Sequence, residues 1–154
     1  SIRGKLVVLM QISEVVTFDE YWEDARFESK RPVFNKGIIH MYGDNIYHHV
    51  DDRWMQEPSH HSMKDGSINY ANLNRDTQAD RVLIATEFYY FGNNAIDIPQ
   101  EYDKLIGRGR NHTVCKDESL IVEFLGYIST NYNKGIQGIP YSRNTVGFAH
   151  YRGE

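Results

Sequence analysis

Four of the chain's seven histidines fall in two short stretches, Gly43-Asp44-Asn45-Ile46-Tyr47-His48-His49 and Ser59-His60-His61-Ser62. Imidazole titrates near neutrality, so a histidine beside a carboxylate can take or give a proton at physiological pH. Glu57 with His60 or His61 is the pair best suited to that work, and an enzyme built on this chain would use Glu57, His60 and His61 as its polar centre. The plainer alternative is that these histidines order a long loop through hydrogen bonds. No metal is expected, because neither histidine pair has the i, i+4 spacing of a helical zinc site and the single cysteine, Cys115, excludes a multi-cysteine one. Ser59 and Ser62 lack a Gly-x-Ser-x-Gly elbow. Cys115 stands three residues after His112, and nucleophile–base pairs are defined in space rather than by spacing. No motif implies a cofactor.

Two basic stretches could hold an anion. Lys30-Arg31-Pro32 places two cations before a proline, which drives Arg31 toward an extended conformation in a loop. Gly107-Arg108-Gly109-Arg110 spaces Arg108 and Arg110 with glycines, which permit close approach of backbone to phosphate, although no Gly-Lys-Ser/Thr completes a P-loop. Trp22, Tyr47 and Tyr89 are candidate stacking surfaces for a base, and Asp44 or Asn45 could read a base edge.

The elements that must position these residues follow from pattern. A chain of 154 residues with 40% hydrophobic and 25% charged content fits one domain with a real core. A net charge of −4 argues against coating duplex nucleic acid by bulk electrostatics, while leaving room for a local basic patch. No apolar run approaches the ~20 residues of a membrane span. One cysteine fits a reducing cytoplasm.

Residues 5–12 form a nearly continuous apolar run and read as a central strand covered on both faces. Thr17 with Glu20 is a capping box for a short helix to about Asp24, with Phe18, Tyr21 and Trp22 on one face. Residues 38–42, 46–50 and 53–56 read as three short strands of an antiparallel meander, with Asp51-Asp52 closing the second. Alternation puts His48 and His49 on opposite faces. Residues 57–76 read as a long polar loop, residues 80–92 as a second strong strand carrying Glu87, and residues 118–131 as a helix capped by Asp117. The expected class is α+β: a small, mixed, mostly antiparallel β-barrel-like sheet with a few helices.

Several phrases taken together resemble a known family. They are Lys5-Leu6-Val7-Val8 leading to Phe18-Asp19-Glu20-Tyr21-Trp22, Lys30-Arg31-Pro32, and Tyr42-Gly43-Asp44-Asn45-Ile46-Tyr47. Ser59-His60-His61-Ser62, Asp80-Arg81-Val82-Leu83-Ile84 and Phe88-Tyr89-Tyr90-Phe91-Gly92 complete the set. The chain resembles the nucleotide-modification-associated domain of the second type, a bacterial and phage family, over most of residues 5–140. The pattern is also similar to small barrels of the PUA, ASCH and EVE kind, which bind nucleic acid or modified bases. The resemblance implies a module that binds a nucleotide or modified base through Trp22, Arg31, Asp44, Asn45, Tyr47, Tyr89, Arg108 and Arg110. The alternatives are an enzyme of nucleotide or base modification using Glu57, His60 and His61, or a structural or assembly protein. Members of the family carry a preceding segment with a Gly-Asp-Trp strand. The resemblance therefore implies that N-terminal strands are missing from this chain or come from a second one.

Overall fold

The computed structural model describes residues 4–34, 36, 38–107 and 113–139. In chain order the elements are strands β1 (Lys5–Leu6), β2 (Val8–Gln11) and β3 (Glu14–Val16), helix α1 (Phe18–Glu23), and 3-10 segments Ala25–Lys30 and Ile38–Tyr42. Strands β4 (Tyr47–Val50) and β5 (Arg53–Gln56), helix α2 (Tyr70–Asp76), and strands β6 (Val82–Ile84) and β7 (Glu87–Tyr90) follow. The 3-10 turn Gly92–Asn94, strand β8 (Ile96–Asp97), the 3-10 segment Gln100–Leu105, helix α3 (Glu118–Asn131) and strand β9 (Gly135–Ile136) complete the series. The class is α+β and the pairing mostly antiparallel, β7 with β9 being parallel. The barrel-like closure expected from the sequence is not seen. The strands form separate short sheets, and none closes on itself among the described residues.

The described residues fall into two compact units, one of Ser13–Ile84 and one that joins the residues up to Ile12 with those from Ala85 on. In the first, the Thr17 amide donates to the Glu20 carboxylate at 2.7 Å and the Glu20 amide donates to Thr17 Oγ1 at 3.1 Å. This is the expected capping box, and it starts α1 where the sequence places it. The hairpin β4–β5 is also as expected, with His48 opposite Met55 and His49 opposite Trp54. Its turn residues Asp51 and Asp52 have φ of 49° and 59°, the primed geometry that matches strand twist. Ile46, Tyr47 and Leu73 form the buried centre, with Phe18, Trp54 and Ile68 packed on them.

Two expectations fail here. Residues 38–42 are a 3-10 segment rather than a strand. Their carbonyls are taken by loops instead of a ladder: Val33 donates to His40 O at 2.7 Å and His60 to Met41 O at 3.3 Å. The polar stretch 57–76 is not all loop, because Asn69 caps α2 by accepting from the Asn72 amide at 3.3 Å.

In the second unit β2 pairs with β7 and, among the described residues, with nothing else. The expectation of a strand covered on both faces is therefore corrected, and Val8 and Met10 are 37% and 46% exposed. The long run 80–92 is likewise two strands, β6 and β7, rather than one. Glu87 is exposed and pairs with Lys134 at 2.7 Å. Asp117 caps α3 as expected, accepting from the Leu120 amide at 3.1 Å, and Phe124 and Ile128 are its buried residues.

Candidate functional site

Four of the eight residues expected to touch a nucleotide, Trp22, Arg31, Asp44 and Asn45, meet in a clasp around the C-terminal end of α1. Gly43 lies so close to residues 30–32 that a Cβ there would stand 2.2 Å from Lys30 O and 2.4 Å from Pro32 N. Only glycine admits that approach. Beyond it, Asp44 Oδ1 accepts from the Tyr21 hydroxyl at 2.9 Å. Asn45, 1% exposed, donates from Nδ2 to Tyr21 O at 2.9 Å and from its backbone amide to Lys30 O at 3.2 Å. Burial, helped by the Asp44 charge, raises the Tyr21 pKa, so the hydroxyl stays a donor. The Tyr-Gly-Asp-Asn-Ile-Tyr phrase thus works first as internal bonding that holds Lys30 and Arg31 in place.

Trp22 and Tyr47 are engaged in the same way. The Trp22 ring stacks on His48 with centroids 4.0 Å apart and planes at 11°. The Arg31 guanidinium sits 4.0 Å from the Trp22 centroid and donates to Trp22 O. Tyr47 is buried, and its hydroxyl is spent on Asp76. Glu57 does not join His60 and His61; it faces His48, with Oε1 3.7 Å from Nε2. On the other face of β4, His49 Nδ1 meets Asp19 Oδ2 at 2.9 Å.

The structure does bring His60 and His61 together, with ring centroids 4.2 Å apart. The serines around them close the turn that presents both rings. Ser62 Oγ donates to Ser59 O at 2.7 Å and accepts from the Ser59 amide at 3.0 Å, while Ser59 Oγ accepts from the His61 amide at 3.2 Å. The carboxylate that serves His61 is Asp76, at the end of α2. Its Oδ2 accepts from His61 Nδ1 at 3.0 Å and from the Tyr47 hydroxyl at 2.8 Å, and its Oδ1 accepts from Arg75 Nε at 2.8 Å. Burial works to raise the Asp76 carboxyl, but the hydrogen bonds from Arg75 and Tyr47 outweigh it and hold the group below its ordinary range. His60 Nδ1 donates to Met41 O at 3.1 Å, and burial, with the neighbouring His61, lowers its pKa so that the ring is neutral at pH 7.

Next to this pair lies a recess of about 380 Å³, lined by Glu28, Ser29, Lys30, Arg31 and Val33 from one segment and His40, Tyr42 and Gly43 from another. Tyr42 is 42% exposed, and its ring lies 4.6 Å from that of His60. The recess, Tyr42, His60, His61 and Asp76 therefore form a connected series within one unit. Tyr89 belongs to the other unit, where it lines a groove of about 610 Å³ with Leu9, Gln11, Ile121, Leu125 and Lys134. Arg108 and Arg110 lie outside the described residues. No group of three or more His, Cys, Asp or Glu side chains suited to a metal occurs among the described residues.

Asp76 and Tyr42 were not singled out by the sequence. Asp76 is far from His61 along the chain and reaches it only because α2 folds back, and no local signal marks it. Tyr42 is hidden by the strand-like look of residues 38–42.

The sequence model of the family described as nucleotide modification associated domain 2 matches residues 1–146. The chain belongs to this family. The family's name states an association with nucleotide modification. In this domain the specific phrases of the sequence coincide with the clasp at Gly43–Tyr47 and with the turn at Ser59–Ser62. No curated protein and no solved structure matches the chain. No helix among the described residues is long and apolar enough to cross a membrane.

Proposed function

We propose that this domain binds a nucleotide in the recess between residues 28–33 and 40–43. Lys30 and Arg31 hold the phosphate, Tyr42 stacks on the base, and Glu28 accepts from sugar hydroxyls. The observation that carries this reading is the recess itself: two cations and an exposed aromatic ring converge on a space of nucleotide size. The clasp supports it, because Gly43 and Asn45 fix the backbone that carries Lys30 and Arg31. Trp22 contributes by seating Arg31 rather than by stacking on a base.

Calorimetric titration with adenosine and cytidine monophosphate tests the proposal. Tyr42→Ala is expected to weaken binding by about tenfold, in the range of one lost base–aromatic stack. Lys30→Ala is expected to weaken binding and to flatten its salt dependence. Unchanged affinity in both variants would exclude the recess.

A second reading, a nucleotide-modifying enzyme, is favoured by one observation: the Asp76–His61 pairing leaves a positioned imidazole able to move a proton. Under it, His61→Asn abolishes turnover of a bound nucleotide while the affinity survives.

A further inference from the structure

The histidine pair has a hydrogen-bonding polarity that its partners fix. His61 Nδ1 faces the ionised carboxylate of Asp76, and His60 Nδ1 faces the carbonyl of Met41. Both partners can only accept, so in each neutral ring the proton sits on Nδ1 and Nε2 carries a lone pair. Neither Nε2 has a hydrogen-bond partner among the described residues, and the His61 side chain is 33% exposed. The rings are held in place as well. Gln56 Nε2 and Asn72 Nδ2 donate to His61 O at 3.4 and 2.7 Å, and the Ser59–Ser62 turn fixes both backbones.

We propose that His60 and His61 form a tautomer-fixed pair of acceptors that selects nucleotides whose base bears an exocyclic amino group over those that present a carbonyl in its place. The inference rests on the nucleotide-binding reading and names the ligand class for it. An amino group offers two N–H donors, which suits two rings with centroids 4.2 Å apart that each keep a lone pair on Nε2. A carbonyl oxygen at the same position would face them and leave all three unsatisfied. Tyr42 links the pair to the recess, since its ring lines the recess and lies 4.6 Å from His60.

The test compares two isosteric pairs on the full chain near neutral pH: adenosine against inosine monophosphate, and cytidine against uridine monophosphate. The amino member of each pair should bind about tenfold tighter, the scale of one or two net hydrogen bonds. His60→Phe and His61→Asn should each erase most of that preference, the ratio of affinities within each pair falling toward one. Acidification should weaken it, because protonation of His60 turns its Nε2 into a donor. The charged and titratable groups that face His60 are His61, Asp44 and Asp76.

If all four nucleotides bind equally, the recess stands and this inference falls. If none binds, the nucleotide reading itself falls and takes the inference with it. A long-range proton–nitrogen correlation spectrum of the wild-type protein gives an independent check that needs no variant. Each ring in its neutral form should carry its proton on Nδ1, and a neutral ring protonated on Nε2 would overturn the assignment.

Discussion

At the scale of single residues, the side chains that look most chemical divide into those that hold the site and those left to act. Asn45, Tyr47 and Trp22 are held by internal bonds, whereas His60, His61 and Tyr42 are partly exposed beside a recess. Read from the sequence, His60 and His61 pair with Glu57, the nearby carboxylate in the chain, which instead faces His48. Spatial adjacency favours Asp76, which only the fold reveals. Asn45→Ala should cost about 1–3 kcal/mol, because the Tyr21 carbonyl loses a buried donor; chemical denaturation followed by fluorescence would measure it. His48 and His60 both have pKa values lowered, in each case chiefly by burial. The unfolded chain then binds more protons than the native one as pH falls from about 6.5. Their stabilising contribution is complete above that pH and is lost as pH falls through the folded-state values. A melting-temperature series from neutral to acid pH should decline over that window, and His60→Gln should flatten the decline.

At the scale of elements, local chemistry was legible wherever it is self-contained. The box at Thr17 and Glu20, the cap at Asp117 and the Asp51-Asp52 turn all act within a few residues, and all three elements form where the sequence places them. Thr17→Ala should destabilise the protein by about 1 kcal/mol in thermal unfolding. Asp52→Gly should do the reverse by about 0.5 kcal/mol, since glycine accepts the φ of 59° without penalty. Elements settled by distant partners were not legible. Residues 38–42 have the β-branched and aromatic look of a strand, but Val33 and His60 claim their carbonyls. Helix α2 buries only Leu73, so its polar sequence shows little apolar period. In the Tyr90-Phe91-Gly92 phrase, the glycine has a φ of 55° and a Cβ on it would lie 2.1 Å from Ile139 O. Gly92→Ala should therefore cost more than about 1 kcal/mol, read as loss of protection in amide exchange across β7.

At the scale of the whole molecule, a net charge of −4 works against binding nucleic acid through phosphate contacts alone. Affinity for duplex DNA through phosphate contacts alone should be negligible at physiological salt, and a gel-shift series with duplexes of several lengths would show it. The family match over residues 1–146 spans both compact units, so both belong to the domain that the family describes. The α+β class was readable from the alternation of apolar runs and capped helices. Closure into a barrel was inferred by analogy of pattern, and the short ladders do not support it.

The tight seam at Gly43 carries one more implication. Because the chain at that residue rests directly against residues 30–32, the two walls of the recess are set by a spacing rather than by a side chain. Adding a single methyl there would wedge the walls apart and, on the proposed reading, slacken the grip on a bound nucleotide. Selection or engineering could thus reshape this recess through its smallest residue, and a screen confined to charged and aromatic positions would overlook the change.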